Sequence, residues 1–139
     1  MSNQLTTNFD TSKIFIWDNQ YQPERITNNS YDEASLPQGT VMARLAGSTE
    51  IVPFDSSDPK QLPLGVLTQD LTVAGGETAS VYICIAGGVV ESKLYFVNGT
   101  DTVNTTLLPG GQTIKDYLQA NNTGIKLVPS TELTSYDNQ

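Results

Sequence analysis

The sequence predicts a mainly β domain, a small barrel-like or sandwich-like body, with one short α-helix near the C-terminus and an extended N-terminal arm. Three observations carry that prediction. The 139 residues include 37% hydrophobic and only 16% charged residues, and the remainder is rich in Asn, Thr, Ser, Gln and Gly. That mix suits short strands and turns better than a helical bundle. Apolar residues alternate with polar ones in short runs bounded by Gly, Pro, Asn and Asp. A single stretch, "GQTIKDYLQANNTG", spaces its apolar residues as a helix does. The length fits one domain with a modest core.

Residues 1–35 are mostly polar and read as the arm, with one apolar segment, "KIFIW". Ile14, Phe15, Ile16 and Trp17 place apolar side chains on both faces of an extended run. Two readings fit them: a first core strand covered on both sides, or an arm that adds a strand to a partner's sheet edge. The polar sequence around the segment favours the arm.

The body, residues 36–139, opens with "LPQGTVMARLAG", in which Val41, Ala43 and Leu45 alternate with Met42 and Arg44, the pattern of a half-buried strand. "EIVPF" is a short strand whose Pro53 removes one ladder donor and marks an edge. "DSSDPKQLP" is a loop, with Asp55 and Asp58 placed for Asx turns. "LGVLTQDLTV" and "ETASVYICIA" flank Gly75-Gly76, a hairpin signal. In the second of these runs Ala79, Val81, Ile83 and Ile85 share one face, and Ser80, Tyr82, Cys84 and Ala86 the other. Gly87-Gly88 then allows a bend before the strand-like "VVESKLYFV", and "NGTDTVNTTLLPGG" is a loop. Thr113 and Asp116 have the spacing of a weak capping box, and Ile114, Tyr117 and Leu118 form a narrow apolar helix face. "IKLVP" closes the body as a strand, and "STELTSYDNQ" is a polar end.

Much chemistry is excluded by inventory. There is no histidine, so Ser-His and Cys-His nucleophile pairs cannot form. One cysteine allows no internal disulfide and no Cys/His zinc site. Cys84, between Ile83 and Ile85, reads as a buried strand residue. Ser92 and Lys93, adjacent on a strand, would point to opposite faces and cannot act as a dyad. Asp55 with Asp58, and Asp70 with Glu77, flank loops, where solvated carboxylates are the ordinary outcome, and the first pair lacks the spaced oxygens of a calcium loop. Gly110-Gly111 precedes the helix without a phosphate-loop motif. No catalytic, cofactor-binding or metal-binding residue is assigned, and the chain is not expected to be an enzyme. The net charge of −8 with 7 scattered Lys and Arg argues against nucleic acid and against an acidic membrane surface. The opening "MSNQLTTNFD" has no apolar core of a secretion signal, so the Asn-x-Ser/Thr matches are read as chance.

The order "LPQGTVMARLAG", a loop, "LPLGVLTQDLTVAGGETASVYICIAGGVVESKL" and then "TIKDYLQANNTGIKLVP" resembles the head decoration proteins of tailed bacteriophages, the lambda-type family. The likeness rests on "L-x-x-G-T-V-x-x-R", "P-x-G-V/I-L", a strand ending in Gly before Val, and a short helix leading into "G-I-x-L-V", over residues 36–129. The resemblance implies a compact β domain that forms a homotrimer on the outer face of the capsid and bridges neighbouring major capsid subunits. It also implies an N-terminal arm that orders on the capsid, and Ile14, Phe15, Ile16 and Trp17 fall in that place. Burying such side chains would stabilise the arm by roughly 1.5 to 3 kcal/mol each. The expected localisation is the virion surface after assembly in the host cytoplasm. The alternative is a fibre-base or glycan-binding module in which Trp17, Tyr21, Tyr31 and Tyr95 stack on sugars.

Overall fold

The computed structural model describes residues 14–45, 49–120 and 124–129. Within them the chain forms β1 (Phe15–Thr27), β2 (Ala34–Leu36), β3 (Val41–Leu45), β4 (Ile51–Pro53), β5 (Gln61–Leu67), β6 (Leu71–Val73), β7 (Thr78–Val90), a 3-10 turn (Glu91–Lys93), α1 (Ile114–Ala120) and β8 (Ile125–Val128). β4 lies between β1 and β3, and β5 lies between β3 and β7. β7 pairs again with β1, so five strands close into a small barrel. Closure leaves these strands few free edges. β8 extends β7 in parallel beyond its contact with β5, and β2 with β6 forms a separate antiparallel pair.

All five barrel strands send residues to one buried cluster: Ile26 from β1, Met42 from β3, Ile51 from β4, Leu67 from β5, and Val81 and Ile83 from β7. A cluster fed by every strand of a closed ring is the barrel interior. Leu36 and Val73, from the β2–β6 pair, join it. The alternate residues, Val41, Ala43, Val66 and Cys84, are buried as well, under a layer that includes Val103, Leu108, Ile114, Leu118, Ile125 and Leu127. β3 is therefore covered on both faces, where alternation predicts a half-buried strand. The covering layer comes from Val103 to Leu127, 60 or more positions downstream of Val41 and Ala43, which a local pattern cannot report.

Other expectations change for the same reason. The Gly75-Gly76 turn is present, with Gly76 at φ 79°, but it joins two sheets and is not a hairpin: β6 pairs with β2, and β7 enters the barrel. β7 runs straight through Gly87-Gly88 to Val90, and Ser92-Lys93 lie in the 3-10 turn rather than on a strand. Pro53 pairs only with Met42 of β3 and lies beyond the single β1 register at Ile51, so β4 tolerates it without being an edge strand. The helix is as expected: Thr113 Oγ1 accepts the Asp116 N–H at 3.1 Å, and Ile114 and Leu118 are fully buried.

Polar bonds tie the covering layer down. Asp101, buried, accepts the Ser56 N–H at 3.1 Å and also the Ser56 hydroxyl. Glu91 pairs with Lys115 on α1 at 2.9 Å and accepts Asn104 Nδ2 at 2.9 Å. Burial acts to raise the Glu91 pKa, but Lys115 and Asn104 outweigh it and hold the carboxyl below its ordinary value. Asp55 is lowered too, first by the Ser57 N–H, then by the Ser57 hydroxyl and Asn98. A carboxyl depressed in the folded state stabilises above its unfolded pKa and stops doing so as pH falls through the folded value. Urea midpoints should therefore fall below about pH 4. Lys115→Met should lower the midpoint at pH 7 and flatten its decline with acid, as measured by urea titration from pH 7 to 2.5.

Candidate functional site

The segment expected to be a free arm is built into the body. Ile14 is only 7% exposed and belongs to the outer core cluster. Its carbonyl accepts the Val90 N–H at 2.8 Å, Phe15 lies opposite Val89, and Trp17 opposite Gly88. Ile16 and Trp17 pack on Val90 and Val128. From Tyr21 to Thr27, β1 pairs continuously with Cys84 to Thr78 of β7. The reading of residues 14–35, with Ile14, Phe15, Ile16 and Trp17, as an extended arm apart from the body is thus corrected. The physical reason is already visible in the residues: an extended run apolar on both faces needs cover on both, and β7 with β8 supplies it here. Of the expected arm, residues 1–13 lie outside the described residues.

Gly87 and Gly88 are the seat of this segment. β1 bulges between Phe15 and Tyr21, and Asp18 takes the left-handed region at φ 48°. Asn19 locks the bulge: its Nδ2 donates to the Gly88 carbonyl at 3.0 Å and to the Ala86 carbonyl at 3.4 Å. A Cβ on Gly88 would sit 2.5 Å from Trp17 Cε2, and one on Gly87 would sit 2.5 Å from the Trp17 carbonyl. Gly87 also needs its φ of 99°. The glycine pair, which reads as a bend, instead makes room for an indole and a bulged backbone inside an unbroken strand.

Cys84 is fully buried opposite Tyr21, with Asn19 Nδ2 3.5 Å from its sulfur. Burial pushes its pKa up, which lowers the thiolate fraction at neutral pH. A thiol reagent should modify Cys84 more than about tenfold more slowly in the native protein than in denaturant. Equal rates in a stopped-flow assay would contradict the burial.

Of the carboxylate candidates, Asp55 and Asp58 serve backbone turns. Asp55 Oδ1 accepts the Ser57 N–H at 2.9 Å and Asn98 Nδ2 at 3.0 Å, and Asp58 Oδ1 accepts the Lys60 N–H at 3.0 Å. Asp70 Oδ1 accepts the Gln38 N–H at 2.8 Å. Gly110-Gly111 form a turn before α1, closed by the Gly111 N–H on the Leu108 carbonyl at 2.8 Å. Among the described residues no group of three or more His, Cys, Asp or Glu is placed to hold a metal ion.

One surface feature is aromatic. Phe15, Tyr21, Thr68 and Tyr82 line an open depression of about 380 Å³. Tyr21 is 50% and Tyr82 58% exposed, and Phe15 meets Tyr21 edge-to-face with ring centroids 6.2 Å apart. The depression lies where the covering layer stops: Cys84 is buried beneath that layer, and Tyr82, two residues earlier on the same face, stands clear of it. Alternation places Tyr82 on the outer face, but it cannot tell a covered outer face from a bare one. Trp17, the largest aromatic expected at a sugar-stacking surface, packs on the β7–β8 pair instead.

Fold and surface together define a small closed β-barrel of mainly β class with a bare aromatic strip on its outer wall. Comparison with protein-family models and with curated proteins finds no match.

Proposed function

We propose that the chain is a capsid decoration protein, which binds the outer face of a phage head as a homotrimer and clamps neighbouring major capsid subunits. The observation that carries this reading is the order of elements. The quoted segments of the resemblance fall in sequence on β3, β5, β7 and the α1–β8 unit of one body. A closed barrel with a doubly covered β3 suits a mechanical role, because it offers little to unravel under load. A net charge of −8 keeps such a protein clear of packaged DNA. Three copies would bind by avidity, so each contact can be weak alone. In this reading residues 1–13 make the capsid contact, and Ile14 to Trp17 anchor their root to the barrel.

The test is co-sedimentation with expanded capsids of the phage concerned. The intact protein should pellet with the shells, and a variant lacking residues 1–13 should bind much less. The deletion stops there because β1 begins at Phe15. No binding by the intact protein would sink the proposal, and undiminished binding by the shortened one would sink the role of residues 1–13.

A further inference from the structure

Phe54 and Phe96 pack edge-to-face, and the segments that follow them are tied together at two adjacent points. Asn98 Nδ2 donates to Asp55 Oδ1 at 3.0 Å, and the Ser56 N–H donates to Asp101 Oδ2 at 3.1 Å. Residues 98–101 form a turn that leads into the covering layer, closed by the Asp101 N–H on the Asn98 carbonyl at 3.0 Å. The Asn98 side chain is held at both ends of its amide. Its Oδ1 accepts the Thr100 N–H at 3.0 Å and the Thr100 hydroxyl at 2.7 Å, while its Nδ2 is taken by Asp55. Gly99 is exposed, with open space where a Cβ would stand. Asn98-Gly99 is the only Asn-Gly pair in the chain. Such a pair is chemically labile, because no side chain screens the glycine nitrogen from the asparagine amide.

We propose that Asn98-Gly99 is a self-modifying latch: closed, it is held unreactive, and once opened it converts to a carboxylate that can no longer form the tie to Asp55. In the conversion the Gly99 nitrogen gives its proton to solvent hydroxide and attacks Asn98 Cγ. The Cγ–Nδ2 bond breaks, and Nδ2 leaves as ammonia with a proton from water. Water then opens the cyclic imide at either carbonyl, giving an aspartate or an isoaspartate at position 98. One water is consumed and one ammonia released, with no oxidation or reduction. The attack requires the amide to turn its carbon towards the Gly99 nitrogen. In the closed turn that rotation breaks the bonds to the Thr100 N–H, the Thr100 hydroxyl and Asp55, so the reaction waits on local opening. The product has lost the donor to Asp55 and gained a like charge beside it. The latch is independent of the capsid reading, and shell binding decides nothing about it.

Peptide mapping by mass spectrometry, on protein held in mildly alkaline buffer, tests it by following the mass gained as the amide becomes an acid. Position 98 should convert at least about tenfold more slowly in the native protein than in urea. Asp55→Ala and Thr100→Ala each remove one restraint on the amide, and each should speed the native reaction about threefold or more. Circular dichroism checks that both fold; the native-against-urea comparison in the wild type stands without them. Asn98→Asp, which mimics the product, should lower the urea midpoint. Adding Asp55→Asn should recover part of that loss by removing the like charge. The proposal is overturned by equal rates in the native and unfolded chains, by folded variants that react no faster than the wild type, or by an Asn98→Asp protein as stable as the wild type.

Discussion

Gly88→Val lowers the unfolding free energy by about 1 to 3 kcal/mol, the usual cost of forcing extra atoms into a filled site. The added Cβ alone would lie 2.5 to 2.8 Å from three atoms of the Trp17 indole. Relief by a bend in β7 is blocked, because the Gly88 carbonyl holds Asn19 and Gly88 itself pairs with Lys126 of β8. The indole has to leave its place on Val90 and Val128 instead. A double-mutant cycle isolates this cause. Once Trp17→Ala has vacated the space, Gly88→Val should cost less, with a coupling of about 1 kcal/mol between the two sites. Additive losses, measured by urea unfolding, would mean that the indole does not occupy the glycine's face. The cycle also reads the N-terminal segment directly, since a free arm would give no coupling at all.

Phe54→Ala destabilises by about 3 to 5 kcal/mol, a large share of the 5 to 15 kcal/mol typical of a domain. Phe54 is completely buried in the outer cluster and meets Phe96 edge-to-face, with centroids 6.3 Å apart. Its N–H donates to the Val41 carbonyl at 2.8 Å, so the ring hangs from a fixed point on β3. Truncation opens a cavity between the barrel wall and the segment that covers it, and neither side can move far to fill the space. Tyr31→Ala, at a fully exposed ring, should change stability by less than about 0.5 kcal/mol. Calorimetry on the two variants compares burial at nearly constant side-chain chemistry. A small loss at Phe54 would mean that the covering layer packs loosely.

Nothing in "IVPF" marks Phe54 as the heavier of these two aromatics. Its local pattern resembles that of many strand ends, and its value comes from Phe96, 42 positions later, which lies in a run that alternation reads as a strand and the structure does not. Tyr82 carries the converse lesson. Its face was readable from the alternation of Val81, Ile83 and Ile85, yet its exposure depends on where the outer layer ends. The candidate site was thus half legible: the sequence listed the aromatics and the face of Tyr82, and the fold chose which stay bare. The Ile14–Trp17 segment shows how an ambiguity is settled. Its two-sided apolar pattern allowed a core strand or a sticky arm; the polar neighbours argued for the arm, and the structure packs the segment as a strand of the body.

By itself, the sequence determined the β class, the helix at Ile114 to Leu118 with its Thr113 cap, the Asx turns of Asp55 and Asp58, and the absence of histidine chemistry. All of these are local or compositional: a period of two or 3.6, a side chain reaching a backbone group two or three residues away, an inventory. The tertiary structure alone decided that β1 lies on β7, that β6 leaves β7 for β2, and that β3 is covered twice. Those outcomes are set between residues such as Asn19 and Gly88, 69 positions apart. Alternation states which side chains share a face; which strand or layer that face meets depends on how distant surfaces fit together.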